Sequence, residues 1–110
     1  MRLSARKRVG VVIDASVEFI GSGFVVRNNN NFAWKDVSAE LNSRADGSSF
    51  VSKTQVMLPG RTHTIGMGEF VDQDGTQFNS LPRSITSRPK SFEIRCNTQF
   101  GGGFWLGVFV

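Results

Sequence analysis

The stretch NNNNFAWKDVSAELN, Asn28 to Asn42, reads as a turn that feeds a half-buried β-strand. Val37, Ala39 and Leu41 alternate with Ser38 and Glu40. Side chains of a strand point to opposite faces with a period of two, so one pleat face is apolar and the other wet. The Asn run suits a turn, because Asn tolerates positive φ and its side-chain amide bonds nearby backbone. Trp34 has the opposite parity to Val37, so the spacing predicts one of two things: a bulge near Lys35 and Asp36, or an indole that covers the mouth of the core from the loop side.

Outward from this strand, short apolar runs separated by turn residues recur in both directions. A ragged alternation from Val9 to Ile20, with Val17 and Phe19 inward, ends at Gly21-Ser22-Gly23, and Phe24 to Arg27 forms the next strand. Asp46-Gly47 centres a hairpin, after which Phe50 to Met57 returns. Leu58-Pro59-Gly60 stops that strand, since proline lacks the ladder N–H. Thr62 to Phe70 reads as a strand, Asp72 to Gly75 as a turn, and Phe78 to Pro89 as an irregular surface connection. Phe92, Ile94 and Cys96 then alternate with Glu93, Arg95 and Asn97. After Gly101 to Gly103, the segment Phe104 to Val110 is apolar at nearly every position. About seven short strands, with no sustained helical periodicity, predict an all-β fold: a two-sheet antiparallel sandwich of immunoglobulin or fibronectin-III-like layering.

A chain of 110 residues fits one core, and its 10 Phe and 2 Trp with no Tyr supply apolar bulk while offering no phenolic hydroxyls. Arg2, Arg6, Lys7 and Arg8 carry four of the 13 positive charges, and the remaining nine balance the nine Asp and Glu. The expected organisation is therefore a basic flexible tail over residues 1–8 and a neutral sandwich over residues 9–110. Any binding of DNA, RNA or anionic lipid at low salt is expected to depend on that tail. Cys96 is the only cysteine, which excludes an intrachain disulfide and is compatible with a reducing compartment; its parity with Phe92 and Ile94 places it in the core. The run Val9 to Ile13 is shorter than the apolar region of a signal peptide, and no segment approaches the length of a membrane span.

Several residues are arranged in a pattern with a known likeness. Asn31, Phe32, Trp34, Asp36, Val37, Leu41 and Asn42, then Pro59-Gly60, then Phe70 with Asp74-Gly75-Thr76-Gln77-Phe78-Asn79, then Pro89, Phe92, Ile94 and Cys96 follow in order. This resembles a family of uncharacterised bacterial β-sandwich domains in which an N-x-F-x-W-x-D-V strand ending in L-N precedes P-G, F…D-G-T-x-F-N and P-x-x-F-x-I-x-C. The resemblance covers roughly residues 17 to 110. It implies the fold, and it implies an accessory domain of a membrane-tethered protein.

Residues with chemical potential are few. His63 is the only histidine and sits between Thr62 and Thr64; a catalytic His needs a nucleophile and an orienting carboxylate, and nothing in the sequence points to either. Setting Gly75 at the sixth position of a calcium loop puts Phe70 and Leu81 where oxygen ligands belong, so a β-turn held by Asp side chains fits better, with a weaker cation site from Asp72, Asp74 and Asn79 left open. One His and one Cys make no ordinary zinc set, and no phosphate-binding loop or nucleophile elbow is present. Gly66 and Gly68 alternate as they would to permit close sheet packing. No cofactor is expected.

The expected role is thus a non-enzymatic interaction or structural module that binds a protein partner or a second copy of itself. The C-terminal run carries that expectation. If Phe104, Leu106 and Val108 enter the core, Trp105 and Phe109 are left to form an interface. One alternative is nucleic-acid or anionic-surface binding through Arg2, Arg6, Lys7 and Arg8 with a basic face of Arg83, Arg88, Lys90 and Arg95. Another is carbohydrate binding through Trp34, Trp105 and neighbouring Asn side chains.

Overall fold

The computed structural model describes residues 4–5, 11–43, 49–78 and 89–108. Seven strands of five residues or more form two antiparallel layers. In one, β3 (Ala15–Phe19), β4 (Gly23–Asn28) and β7 (Thr62–Gly66) lie in the order β3-β4-β7. In the other, β5 (Trp34–Ser43), β6 (Ser49–Met57), β8 (Pro89–Thr98) and β9 (Gly101–Val108) lie in the order β9-β8-β5-β6. Two-residue strands β1 (Ser4–Ala5) and β2 (Val11–Val12) add to the outer edge of β9, the first antiparallel and the second parallel. Phe24 of the smaller layer stacks on Phe92 of the larger with ring centroids 4.3 Å apart, and Phe70 meets both rings edge-on. Such pairs add about 0.5–1.5 kcal/mol beyond their burial, so this aromatic cluster joins the layers.

The decisive strand is built as its alternation predicts. Val37, Ala39 and Leu41 are buried, and so is Trp34, which is completely enclosed. The parity conflict is resolved by a bulge: the β5/β8 register slips by one between Lys35 and Ser38, and Asp36 takes φ +49°. Lys35 and Asp36 are both exposed in consequence. Against β6 there is no slip, since Trp34 faces Met57 and Val37 faces Thr54. Opposite the bulge, Gln55 and Val56 are likewise both exposed, so β6 changes phase in step with β5.

The C-terminal strand reverses the expected faces. Cross-strand partners share a face, and β8 sets Phe92, Ile94 and Cys96 opposite Gly107, Trp105 and Gly103. Because the three β8 side chains are buried, Trp105 must point inward; it is 3% exposed and meets Phe92 edge-on. Phe104 and Leu106 take the outer face, half-buried. Gly103 explains the fit at this edge: a Cβ there would lie 2.7 Å from Ile13 Cγ2 and 3.3 Å from Cys96 Sγ.

Two further expectations are corrected. The strand expected over Thr62 to Phe70 stops at Gly66, where a 3-10 turn over Met67–Glu69 begins; the Gly66 N–H donates to Glu69 Oε2 at 2.7 Å, and Phe70 is swung into the core. The ragged start is not one strand. The chain leaves β9 at Ile13, whose N–H donates to Phe104 O, and crosses to the other layer before β3. Ser4–Ala5 pairs with β9.

The outer edges of β6 and β9 are covered in part. Val71 exchanges two backbone hydrogen bonds with Val51, closing part of the β6 edge, and β1 and β2 close part of β9. Unpaired edge backbone invites foreign strands, so such covers favour a discrete domain.

Candidate functional site

The residues singled out from sequence are not brought together. Trp105 belongs to the core and presents no interface, for the register reason above, and Phe109 lies outside the described residues. Both tryptophans named for carbohydrate binding are buried, and Trp34 Nε1 donates to Asn30 Oδ1 at 3.1 Å. Of the basic residues, Arg2, Arg6, Lys7, Arg8, Arg83 and Arg88 lie outside the described residues, and Lys90 is placed only as backbone in β8. Arg95 is on the outer face, where its Nε donates to Glu93 Oε2 at 3.3 Å and its Nη2 to Oε1 at 3.4 Å. Glu93 faces Glu40 across the strands, so this part of the sheet is mixed in charge.

The strand position of His63 between two threonines suggests a solvent-facing side chain. It is half-buried instead, because it pairs with Val26 and shares the inward face of Ile65. The Asp72 turn is a backbone device: Oδ1 accepts the N–H groups of Asp74 and Thr76, both at 2.9 Å, and Gly75 N–H donates to Asp72 O. Asn79 lies outside the described residues. Cys96 is buried, and burial pushes its thiol from an ordinary 9.0 up to about 11, partly offset by a hydrogen bond with the Gly103 backbone. A thiol so placed is a poor nucleophile at neutral pH.

Among the described residues, three of the five exposed large apolar side chains lie at the end of the sandwich where β4 meets β5, β6 meets β7 and β8 meets β9; the other two, Val12 and Ile20, lie on β2 and in the β3–β4 turn. Phe100 at the tip of the β8–β9 hairpin is 63% exposed, Leu58 in the β6–β7 turn 52% and Val56 near the end of β6 44%. Phe32 of the β4–β5 loop packs edge-on against Phe100 with centroids 5.1 Å apart. Val56 sits beside Lys35, and Lys35 beside Asn97, whose Nδ2 donates to Asp36 Oδ2 at 3.1 Å. Apolar side chains thus border a polar strip of Lys35, Asp36 and Asn97.

This end is held stiffly. Asn28, fully buried, donates from Nδ2 to the carbonyls of Phe32 and Met57, both at 3.0 Å, and its Oδ1 accepts the Asn30 N–H. Its backbone binds the neighbouring turn, taking the Gly60 N–H at 2.8 Å and donating to Arg61 O. Asn29 reaches Ser16 Oγ at 2.7 Å, and Asn30 Oδ1 accepts both the Asp14 N–H and the Trp34 indole. In the hairpin, Thr98 Oγ1 donates to Gly101 O and accepts the Phe100 N–H. Sequence reasoning took the Asn run for a turn and missed its clamp. It placed Phe100 only beside the basic face and Leu58 only in a strand stop, although a large apolar residue inside turn chemistry was a readable signal of exposure.

The fold defines a two-layer antiparallel β-sandwich with a rigid, apolar loop end. Among the described residues no group of three His, Cys, Asp or Glu is placed to hold a metal ion, and no helix is long and apolar enough to cross a membrane. No family model matches the chain, and no curated protein or solved structure matches it.

Proposed function

We propose that this chain is a non-enzymatic interaction module of immunoglobulin or fibronectin-III-like layering, which binds a protein partner, or its own copy, through the loop end around Phe100, Leu58 and Val56. The observation that carries this reading is the exposure of Phe100, Leu58 and Val56 at an end of the sandwich whose loops are tied by the hydrogen bonds of Asn28 and Thr98. Exposed apolar clusters rimmed by polar groups are characteristic of contact surfaces, and a stiff loop loses little conformational entropy on docking. The role as an accessory domain of a membrane-tethered protein rests on the family resemblance. Of the alternatives, carbohydrate binding loses its two tryptophans to the core, while the basic face is described only at Arg95, which pairs with Glu93.

A photo-crosslinking residue placed in turn at Leu58, Phe100 and Thr64 in the full chain tests the proposal in producing cells. Adducts of one defined mass are expected from positions 58 and 100 and not from 64, which sits on the other layer; equal or absent adducts at all three would reject the surface. Sedimentation of the purified chain and of a Leu58→Ser, Phe100→Ser variant then separates self-association from a foreign partner.

A further inference from the structure

The loop-end surface continues onto the outer face of the larger layer. Register sets Gly102, Asn97, Lys35 and Val56 in one row across β9, β8, β5 and β6, and all four are exposed. Further along the same face, the row through Glu93 and Glu40 contains no exposed residue, so the openness belongs to the loop end. The bulge adds a charge to the exposed row. Consecutive side chains of a regular strand point to opposite faces, but Lys35 and Asp36 are exposed side by side. Asn97 Nδ2 donates to Asp36 Oδ2 at 3.1 Å, which holds the carboxylate on the face that Lys35 shares with Asn97. Among the described residues neither charge has an ion-pair partner in its own chain. Gly102 ends the row without a side chain, and the space around the position of its missing Cβ is open for 4 Å.

We propose that the occupant of this surface is a second copy of the chain, docked about a two-fold axis so that Lys35 of each copy pairs with Asp36 of the other beside the apolar border of Val56, Leu58 and Phe100. The inference rests on the loop-end reading and commits it to one partner. A two-fold contact presents the same patch from both sides, so that residue i meets j and j meets i. A strip of one sign would repel its own copy. Opposite charges on neighbouring positions of one face complement themselves, and a single axis forms two reciprocal ion pairs at once. The bulge is what creates that arrangement, because without it Asp36 would point into the sandwich. Charge matching of this kind fixes orientation and register, while the exposed apolar side chains supply the area removed from water.

The test is sedimentation equilibrium of the full chain with two exposed substitutions. Lys35→Glu makes the strip wholly acidic, and Asp36→Asn leaves it basic while keeping a residue that tolerates the left-handed backbone. The wild type is expected to dimerise with rising concentration, and each variant alone to do so at least about tenfold more weakly, since each removes both pairs and sets like charges together. An equimolar mixture of the two variants should associate more tightly than either alone, because Lys35 of one then meets Asp36 of the other. Dimers unaffected by Lys35→Glu, or a mixture no tighter than its components, overturn the proposal. If either variant fails to fold, salt decides in the wild type: raising it from about 0.05 to about 0.5 M should weaken the dimer, and an unchanged or tighter dimer refutes the ion pairs. A wild type still monomeric at about 1 mM also refutes the second copy. In that case adducts of a foreign mass at positions 58 and 100 would leave the loop-end surface standing, and their absence would remove it as well.

Discussion

Asn28 shows how one side chain can hold a fold end together. Every polar atom of its amide is used, two donors on carbonyls of the β4–β5 loop and of the end of β6 and one acceptor on a backbone N–H. Asn28→Asp removes both donors and sets a carboxylate against the Phe32 and Met57 carbonyl oxygens. The expected cost at pH 7 is about 3 kcal/mol or more, in line with leaving buried polar groups unpaired. Such a carboxyl has its folded pKa raised above the unfolded value near 3.9, so the variant's stability falls as pH rises between the two. Denaturant titrations at pH 4 and pH 7 should accordingly show a smaller deficit against wild type at pH 4. Cys96 gives a second titration. Its folded value of about 11 exceeds the ordinary 9.0, so the unfolded chain loses the proton first, and stability present below pH 9 drains away between pH 9 and 11. With no Tyr to titrate in the same range, Cys96→Ala should flatten that alkaline slope. An unchanged slope in chemical denaturation would assign it to other groups.

At the scale of elements, legibility followed the clarity of alternation. β5 was readable because Val37, Ala39 and Leu41 alternate with polar residues, and the wrong parity of Trp34 left a bulge as one of two readings. β9 was not, because Phe104 to Val108 is apolar on both faces and the sequence of one strand contains no record of its partner's register. Only β8, with Phe92, Ile94 and Cys96 inward, decides that Trp105 turns in. The N-terminal pairings were illegible for a related reason: two-residue strands carry no period. The loop-end surface was legible only in part, since exposure of Phe100 and Leu58 depends on where three loops meet. The bulge makes its own prediction. Asp36 at φ +49° occupies the left-handed region that Asp tolerates and a β-branched residue does not. Asp36→Val should lower stability by about 1–3 kcal/mol, the range for a residue held in a disfavoured backbone region, while Asp36→Gly should cost less; thermal unfolding of the pair compares them.

For the molecule as a whole, the two layers have no separate cores. Phe24, Phe70 and Phe92 form one aromatic cluster to which β4, β8 and the segment after the 3-10 turn each contribute a ring. Phe24→Ala should therefore cost about 3–5 kcal/mol, as for large-to-small changes at enclosed aromatic sites, and should lower amide protection in both sheets by the same factor. Protection lost from β3, β4 and β7 alone would show that the larger layer stands by itself. The rule binding β5 to β6 also reaches beyond a single molecule. Since the two strands change phase together at Lys35-Asp36 and Gln55-Val56 while staying in register, neither can drop a residue there without turning the rest of its side chains over against its neighbour. Across related sequences, one-residue gaps at these two places should arrive in pairs, a signature that an alignment can display without any structure.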